Sequence, residues 1–185
     1  MSVCLKLNFM FCEDELDLNN ELTAQQSDDF YLGIDHIAIA VRDLDEAIAF
    51  YTQKLRFTLI RRLEIKGSRT GMISAEIQSG EIKLVLCQGT DPDSQVSKLV
   101  RDYGPGVAHV ALSVRNATDA VTSLSNAGMT FDTSVIGGPN LRQAFSSRDI
   151  NSGMAFEIIE RNGEEGFLEA NINELFDQLE ASDSY

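Results

Sequence analysis

The chain contains two histidines, His36 and His109, and their spacing gives them chemical meaning. The segment Asp35-His36-Ile37-Ala38-Ile39-Ala40-Val41 returns 73 residues later as Ala108-His109-Val110-Ala111-Leu112-Ser113-Val114. The same offset carries Ala47-Ile48 onto Ala120-Val121 and Ser79-Gly80 onto Ser152-Gly153. A shared register over that length marks a duplicated structural unit. Equivalent positions in two units related by a pseudo-twofold can face each other across one cavity. Two imidazoles meeting there point to a metal site.

Strand parity says which way the histidines face. Residues two apart on a strand share a face. His36 therefore stands in a row with Ala38 and Ala40, and His109 in a row with Ala111 and Ser113. The opposite rows are Ile37, Ile39, Val41 and Val110, Leu112, Val114, which suit packing under helices. Small residues beside a histidine leave room for a ligand. A third donor is offered by Glu157, set in the apolar run Met154-Ala155-Phe156-Glu157-Ile158-Ile159. A buried carboxylate needs a partner. That partner is a metal ion or, without one, an arginine such as Arg142 or Arg148. Under the repeat offset Glu157 maps to Leu84, which cannot ligate. The set of two histidines and one carboxylate matches the facial triad of non-haem Fe(II) oxygenases, with open positions for substrate and dioxygen. Imidazole and carboxylate alone do not exclude Mn, Co, Ni or Zn.

The elements that must position these groups follow from the pattern. Each unit reads as a strand, a helix and three strands. In the first, 34–41 is a strand, Asp43 or Asp45 caps a helix to about residue 55, and strands follow near 57–65, 71–78 and 81–87. In the second, 107–114 is a strand and 116–126 a helix with Gly128 just beyond it. Strands follow near 129–135, 142–147 and 154–160. A helix over about 171–180 carries Ile172, Leu175, Phe176 and Leu179 on one face.

Composition sets the outer bounds. The 185 residues, 43% hydrophobic and 24% charged, describe one globular domain. Residues 1–30 read as an N-terminal extension ahead of a single domain over 31–181. A net charge of −14 argues against nucleic acid and anionic membrane surfaces as partners. Three cysteines without a CxxC spacing suggest reduced thiols and a cytoplasmic setting. No run approaches the length of a membrane span, and Lys6 and Asn8 interrupt the apolar start, so no signal peptide is read. Residues 1–30 could dock as a strand on the body or on a second subunit, so a homodimer is left open.

Residues 34–89 and 107–160 together resemble the vicinal-oxygen-chelate superfamily, whose paired βαβββ modules form a half-open barrel around one metal. The closer resemblance, over 34–181, is to the catalytic C-terminal domain of the 4-hydroxyphenylpyruvate dioxygenase and hydroxymandelate synthase branch. It is carried by Ile34-Asp35-His36, Ser94-Gln95, the run Gly104 to Leu112, Gln143-Ala144-Phe145, and above all Phe156-Glu157-Ile158-Ile159-Glu160-Arg161-Asn162-Gly163 with Gly166-Phe167 and Asn171-Ile172. The resemblance implies an α+β fold. The C-terminal helix, which follows the Glu157 strand directly with Gly163 and Gly166 as hinges, is read as a lid over the pocket. The resemblance implies Fe(II) on His36, His109 and Glu157, and a 2-oxo acid with dioxygen as partners. The reaction implied is oxidative decarboxylation with hydroxylation of the same molecule. It also implies Phe145 and Phe167 as pocket aromatics, Ser74 and Gln95 as polar groups near the substrate, and Asn171 and Ile172 on the lid.

Three positions depart from the homogentisate-forming pattern. Ala108 replaces a glutamine before the second histidine. Gln88, or Gly89 under a shifted alignment, stands for an inward asparagine. Ile172 stands for a phenylalanine, as in the hydroxymandelate-forming enzymes, which favours α-hydroxylation over ring attack. Two other readings remain: a metal-dependent isomerase or lyase of the same superfamily, resembling methylmalonyl-CoA epimerase or glyoxalase, and a non-enzymatic binding module. The isomerases generally bring a fourth protein ligand, against which Leu84 argues. The binding modules usually lack the triad.

Overall fold

The computed structural model describes residues 29–138 and 140–163. The expected C-terminal helix, with Phe167, Asn171 and Ile172, lies outside the described residues, as does the extension before Asp29. The first module comprises β1 (Gly33–Ala40), α1 (Leu44–Ala49), β2 (Thr58–Lys66), β3 (Gly71–Ser79) and β4 (Ile82–Gly89). Helix α2 (Gln95–Tyr103) joins it to the second, which comprises β5 (Gly106–Ser113), α3 (Ala117–Asn126), β6 (Ile136–Gly137), β7 (Leu141–Phe145) and β8 (Phe156–Arg161).

One curled sheet of eight strands runs β2-β3-β4-β1-β5-β8-β7-β6. The order reads the same from either end once the modules are exchanged. Its centre is the antiparallel β1–β5 pair, in which Ile37 lies opposite Val110, its own repeat equivalent. That pairing places the pseudo-twofold. His36 then pairs with Ala111, and His109 with Ala38, on the same face.

The aliphatic rows go where their parity sends them. Ile37, Ile39 and Val41 pack with Leu44, Ala75 and Leu86 under α1. Leu112 and Val114 pack with Ala117, Ala120 and Ile158 under α3. Asp43 caps α1 by accepting from the Glu46 amide, and Asn116 caps α3 by accepting from the Asp119 amide, as short polar side chains do at helix starts. Helix α1 is shorter than the periodicity predicts, and residues Phe50–Lys54 continue it as a π-turn.

Two elements differ from the sequence reading. The strand expected near 129–135 reduces to a single bridge, Phe131 with Ser146, followed by the two-residue β6. Polar Thr130, Asp132, Thr133 and Ser134 interrupt any apolar alternation there. Helix α2 was not anticipated. Ser94 caps it, and Val96 and Leu99 pack on Ala38, Ala40, Cys87 and Ala108, closing one end of the concave face.

Gly89 permits that docking. A Cβ at this position would lie 2.0 Å from Ser94 Oγ and 2.9 Å from the Ser97 amide nitrogen. Gly89→Ala is expected to destabilise the fold by about 1–3 kcal/mol, the usual cost of overpacking. Urea unfolding would read this, and an unchanged midpoint would show that α2 is not held so closely. Among the described residues no helix is long and apolar enough to cross a membrane.

Candidate metal centre

The concave face gathers His36, His109 and Glu157, all buried, with donor atoms within 4.8 Å of one another. His36 Nε2 is 3.3 Å and His109 Nε2 is 3.4 Å from Glu157 Oε2. The rings meet edge to face, 5.6 Å between centroids. A divalent ion about 2.0–2.2 Å from each donor sets neighbouring donors about 3.0–3.5 Å apart, between octahedral and tetrahedral angles. Both histidine–glutamate separations therefore match what one ion requires. The chemistry of the set agrees with that fit. Glu157 is 1% exposed, and its Oε1 has no hydrogen-bond partner among the described residues. An orphaned buried carboxylate oxygen is costly unless something positive meets it.

The arginines that would have offered a different partner are engaged elsewhere. Arg142 donates to Thr118 Oγ1, and Arg148 donates to the carbonyl oxygens of Ala108 and Gly153. Burial pushes the His109 imidazole below its ordinary pKa, and the neighbouring Glu157 only partly opposes this. A neutral imidazole is the form a metal takes. Burial alone would raise Asp35, but Arg161 and His36 outweigh it and hold that carboxyl well below the usual carboxylate range.

The pseudo-symmetric partner of Glu157 is Val85, not Leu84. Glu157 pairs with Ala111, and the repeat equivalent of Ala111, Ala38, pairs with Val85. Leu84 instead joins the core under α1. Gly80 and Gly153 keep the 73-residue offset, both with positive φ, and the second module is one residue shorter beyond that turn. The correction leaves an aliphatic side chain at the fourth position.

A cavity of about 70 Å³ opens on the three donors. Ser74 and Phe145 line it, and Phe145 stands edge-on to His109 with 5.0 Å between ring centroids. The structure does not bring Gln88 into this cavity. Inward positions of β4 are Val85 and Cys87, so Gln88 points the other way, and its Oε1 accepts the Leu44 amide at 2.7 Å. Gly89, the alternative, sits against the α2 cap. Gln95 is buried at the start of α2, outside the cavity lining, with neither side-chain polar atom hydrogen-bonded among the described residues.

Among the lining residues that were not sequence candidates, two carry a side-chain amide or carboxylate. Gln143 is fully buried with both side-chain polar atoms unpartnered among the described residues. Glu76 lines this cavity and an adjoining one of about 180 Å³ that holds Arg61, Lys83 and Arg161. Parity could have found both, since Gln143 shares a face with Phe145 and Glu76 with Ser74.

Cys87 also lines the cavity, where burial pushes its thiol up to about 12. A raised pKa keeps the sulfur protonated, and the thiolate is the nucleophile. At pH 8 the native protein is expected to leave Cys87 unalkylated by iodoacetamide, while unfolded protein reacts. Peptide mapping by mass spectrometry checks this, and rapid native labelling would contradict it.

Paired modules wrapped around a shared cleft define a glyoxalase-like protein. The family model described as Glyoxalase/Bleomycin resistance protein/Dioxygenase superfamily matches residues 33–158, and the chain belongs to that superfamily. A 4-hydroxyphenylpyruvate dioxygenase of Pseudomonas aeruginosa is 28% identical over 183 residues, covering 80% of this chain and 51% of that protein. The chain thus spans about half the length of the curated relatives it first matches. A variant of 4-hydroxymandelate synthase from Streptomyces coelicolor superposes with a TM-score of 0.74 at 22% identity, covering 82% of this chain and 55% of that one. Methylmalonyl-CoA epimerase from Mycobacterium tuberculosis gives 0.64 at 24% identity, covering 76% and 95%. At these identities the two structures speak for the fold alone.

Proposed function

We propose that the protein is an Fe(II)-dependent dioxygenase of a 2-oxo acid, with His36, His109 and Glu157 as its metal ligands. One observation carries this reading: three buried donors converge, and Val85 occupies the position where a fourth would complete the symmetry. Three protein ligands leave coordination sites for a bidentate substrate and for dioxygen. When bound, the metal would supply Lewis-acid coordination of the oxo acid and activation of dioxygen. The chain's own residues would do the rest. Gln143 and Ser74 offer hydrogen bonds to the substrate. Phe145 bounds the pocket, and Leu63, Ile65 and Met72 keep it dry. The name of the Pseudomonas relative supports the same chemistry. The proposed product is the α-hydroxy acid, on the strength of Ile172, which lies outside the described residues.

The fold of the epimerase neighbour keeps an isomerase reading in view. Labelled dioxygen separates the two. With an arylpyruvate, an intramolecular dioxygenase places one labelled atom in the new carboxylate and one in the hydroxyl group as carbon dioxide leaves. An isomerase incorporates none and exchanges the hydrogen beside the keto group with solvent. The unlabelled outcome would overturn the proposal, and a ring-hydroxylated product would overturn only the regiochemistry.

A further inference from the structure

The two histidines are equivalent in backbone and unequal in support. Each is preceded by a bulged residue in the β1–β5 ladder. Ile34 pairs with Leu112 and His36 with Ala111, which leaves Asp35 extra on β1. Ala38 pairs with His109 and Ile39 with Val107, which leaves Ala108 extra on β5. The two bulges are repeat equivalents. A bulge re-aims the side chain it carries. On β1 the side chain is a carboxylate, and it turns to its neighbour: His36 Nδ1 lies 2.8 Å from Asp35 Oδ1. On β5 it is a methyl group, and His109 Nδ1 has no hydrogen-bond partner among the described residues.

Asp35 is itself held. Arg161 donates from Nε to Oδ2 at 2.6 Å and from Nη2 to Oδ1 at 2.9 Å, a two-pronged contact between side chains 19% and 8% exposed. Such forked pairs fix geometry as well as charge. Arg161 stands four residues beyond Glu157 on β8, so the pair ties the strand of the first donor to the strand of the third. The fork holds the Asp35 carboxylate against His36 Nδ1 and leaves Nε2 facing Glu157. A carboxylate on the far ring nitrogen is how a metal-binding imidazole is commonly oriented.

We infer that Asp35 and Arg161 are a positioning pair for the metal centre, with Asp35 orienting His36 and Arg161 holding Asp35 in place. The inference rests on the metal reading above. Loss of such a supporting partner lowers metal affinity by about 10–100-fold. Asp35→Ala is therefore expected to weaken Co(II) and Zn(II) binding by that factor, read by competition with a chromophoric chelator. Arg161→Met is expected to weaken it by less. The double variant is expected to lose less than the sum of the two single losses, because the forked contact of Arg161 is made to Asp35. The visible absorption of bound Co(II) should shift in Asp35→Ala as the imidazole loses its fixed orientation. Thermal melts of the metal-free variants accompany each titration. If Asp35→Ala does not fold, Asp35→Asn, of the same shape, carries the test, with a smaller loss because it keeps an acceptor.

Affinity within twofold of the parent for a folded Asp35 variant would overturn the inference, as would additive losses in the double variant. A parent that binds no Co(II) would instead overturn the metal reading itself.

Discussion

His36→Ala is expected to lose bound metal and turnover together. Among the described residues only three side chains offer donors to the cluster, so removing one takes a third of the set. The loss should exceed the roughly 10–100-fold that follows removal of a supporting partner. The variant should still fold. Alanine already occupies the neighbouring inward positions 38 and 111, and loss of the imidazole widens an existing cavity. Metal content after equilibration with Fe(II) in the absence of air, together with a thermal melt, reads both halves of the claim. A folded variant with full iron occupancy would show that the triad is wrongly assigned.

The second large effect is expected at Val85. This residue lies on the cavity wall, at the register position that mirrors Glu157. Val85→Glu should provide a fourth donor, the second carboxylate of the set, tighten metal binding and remove oxygen consumption, because an open position is filled. Leu84→Glu is the informative contrast. Leu84 packs with Leu44, Ala75 and Leu86 under α1, where a carboxylate would enter an apolar cluster. That substitution should cost several kcal/mol of stability and leave metal affinity per folded molecule unchanged. Tighter binding in Leu84→Glu and none in Val85→Glu would return the mirror position to Leu84.

The one-residue difference between these two positions shows where sequence reading succeeds and where it stops. The inward row of His36, Ala38 and Ala40 was legible because strand parity needs only local alternation. The approach of His36 and His109 across one cavity was legible because the repeat includes both their strands entire, whereas the β1–β5 pair that produces it came only from the assembled sheet. The register of the last strand in each module was not. The repeat offset holds through the turn glycines Gly80 and Gly153, and the modules then differ by one residue. A slip of one flips every side chain, which is why Leu84 looked inward and Gln88 looked like a site residue. Helix α2 was missed because Ser94 and Gly104, which bound it, were read only as parts of the segments that carry the resemblance. The bulges at Asp35 and Ala108 have no local signature in sequence. They arise from the pairing of strands distant in the chain, so the contact of Asp35 with Arg161, 126 positions away, was invisible until the sheet was assembled.

The account turns on whether this centre consumes dioxygen at the expense of a 2-oxo acid. The most direct measurement is an oxygen-electrode assay of protein reconstituted with Fe(II) under anaerobic conditions, challenged with a panel of aryl and alkyl 2-oxo acids. The expected result is oxygen uptake that requires both iron and a particular 2-oxo acid, with one carbon dioxide released per dioxygen consumed and none in His36→Ala. Iron-loaded, folded protein that consumes no oxygen with any 2-oxo acid, yet exchanges the hydrogen beside a carbonyl, would contradict the account.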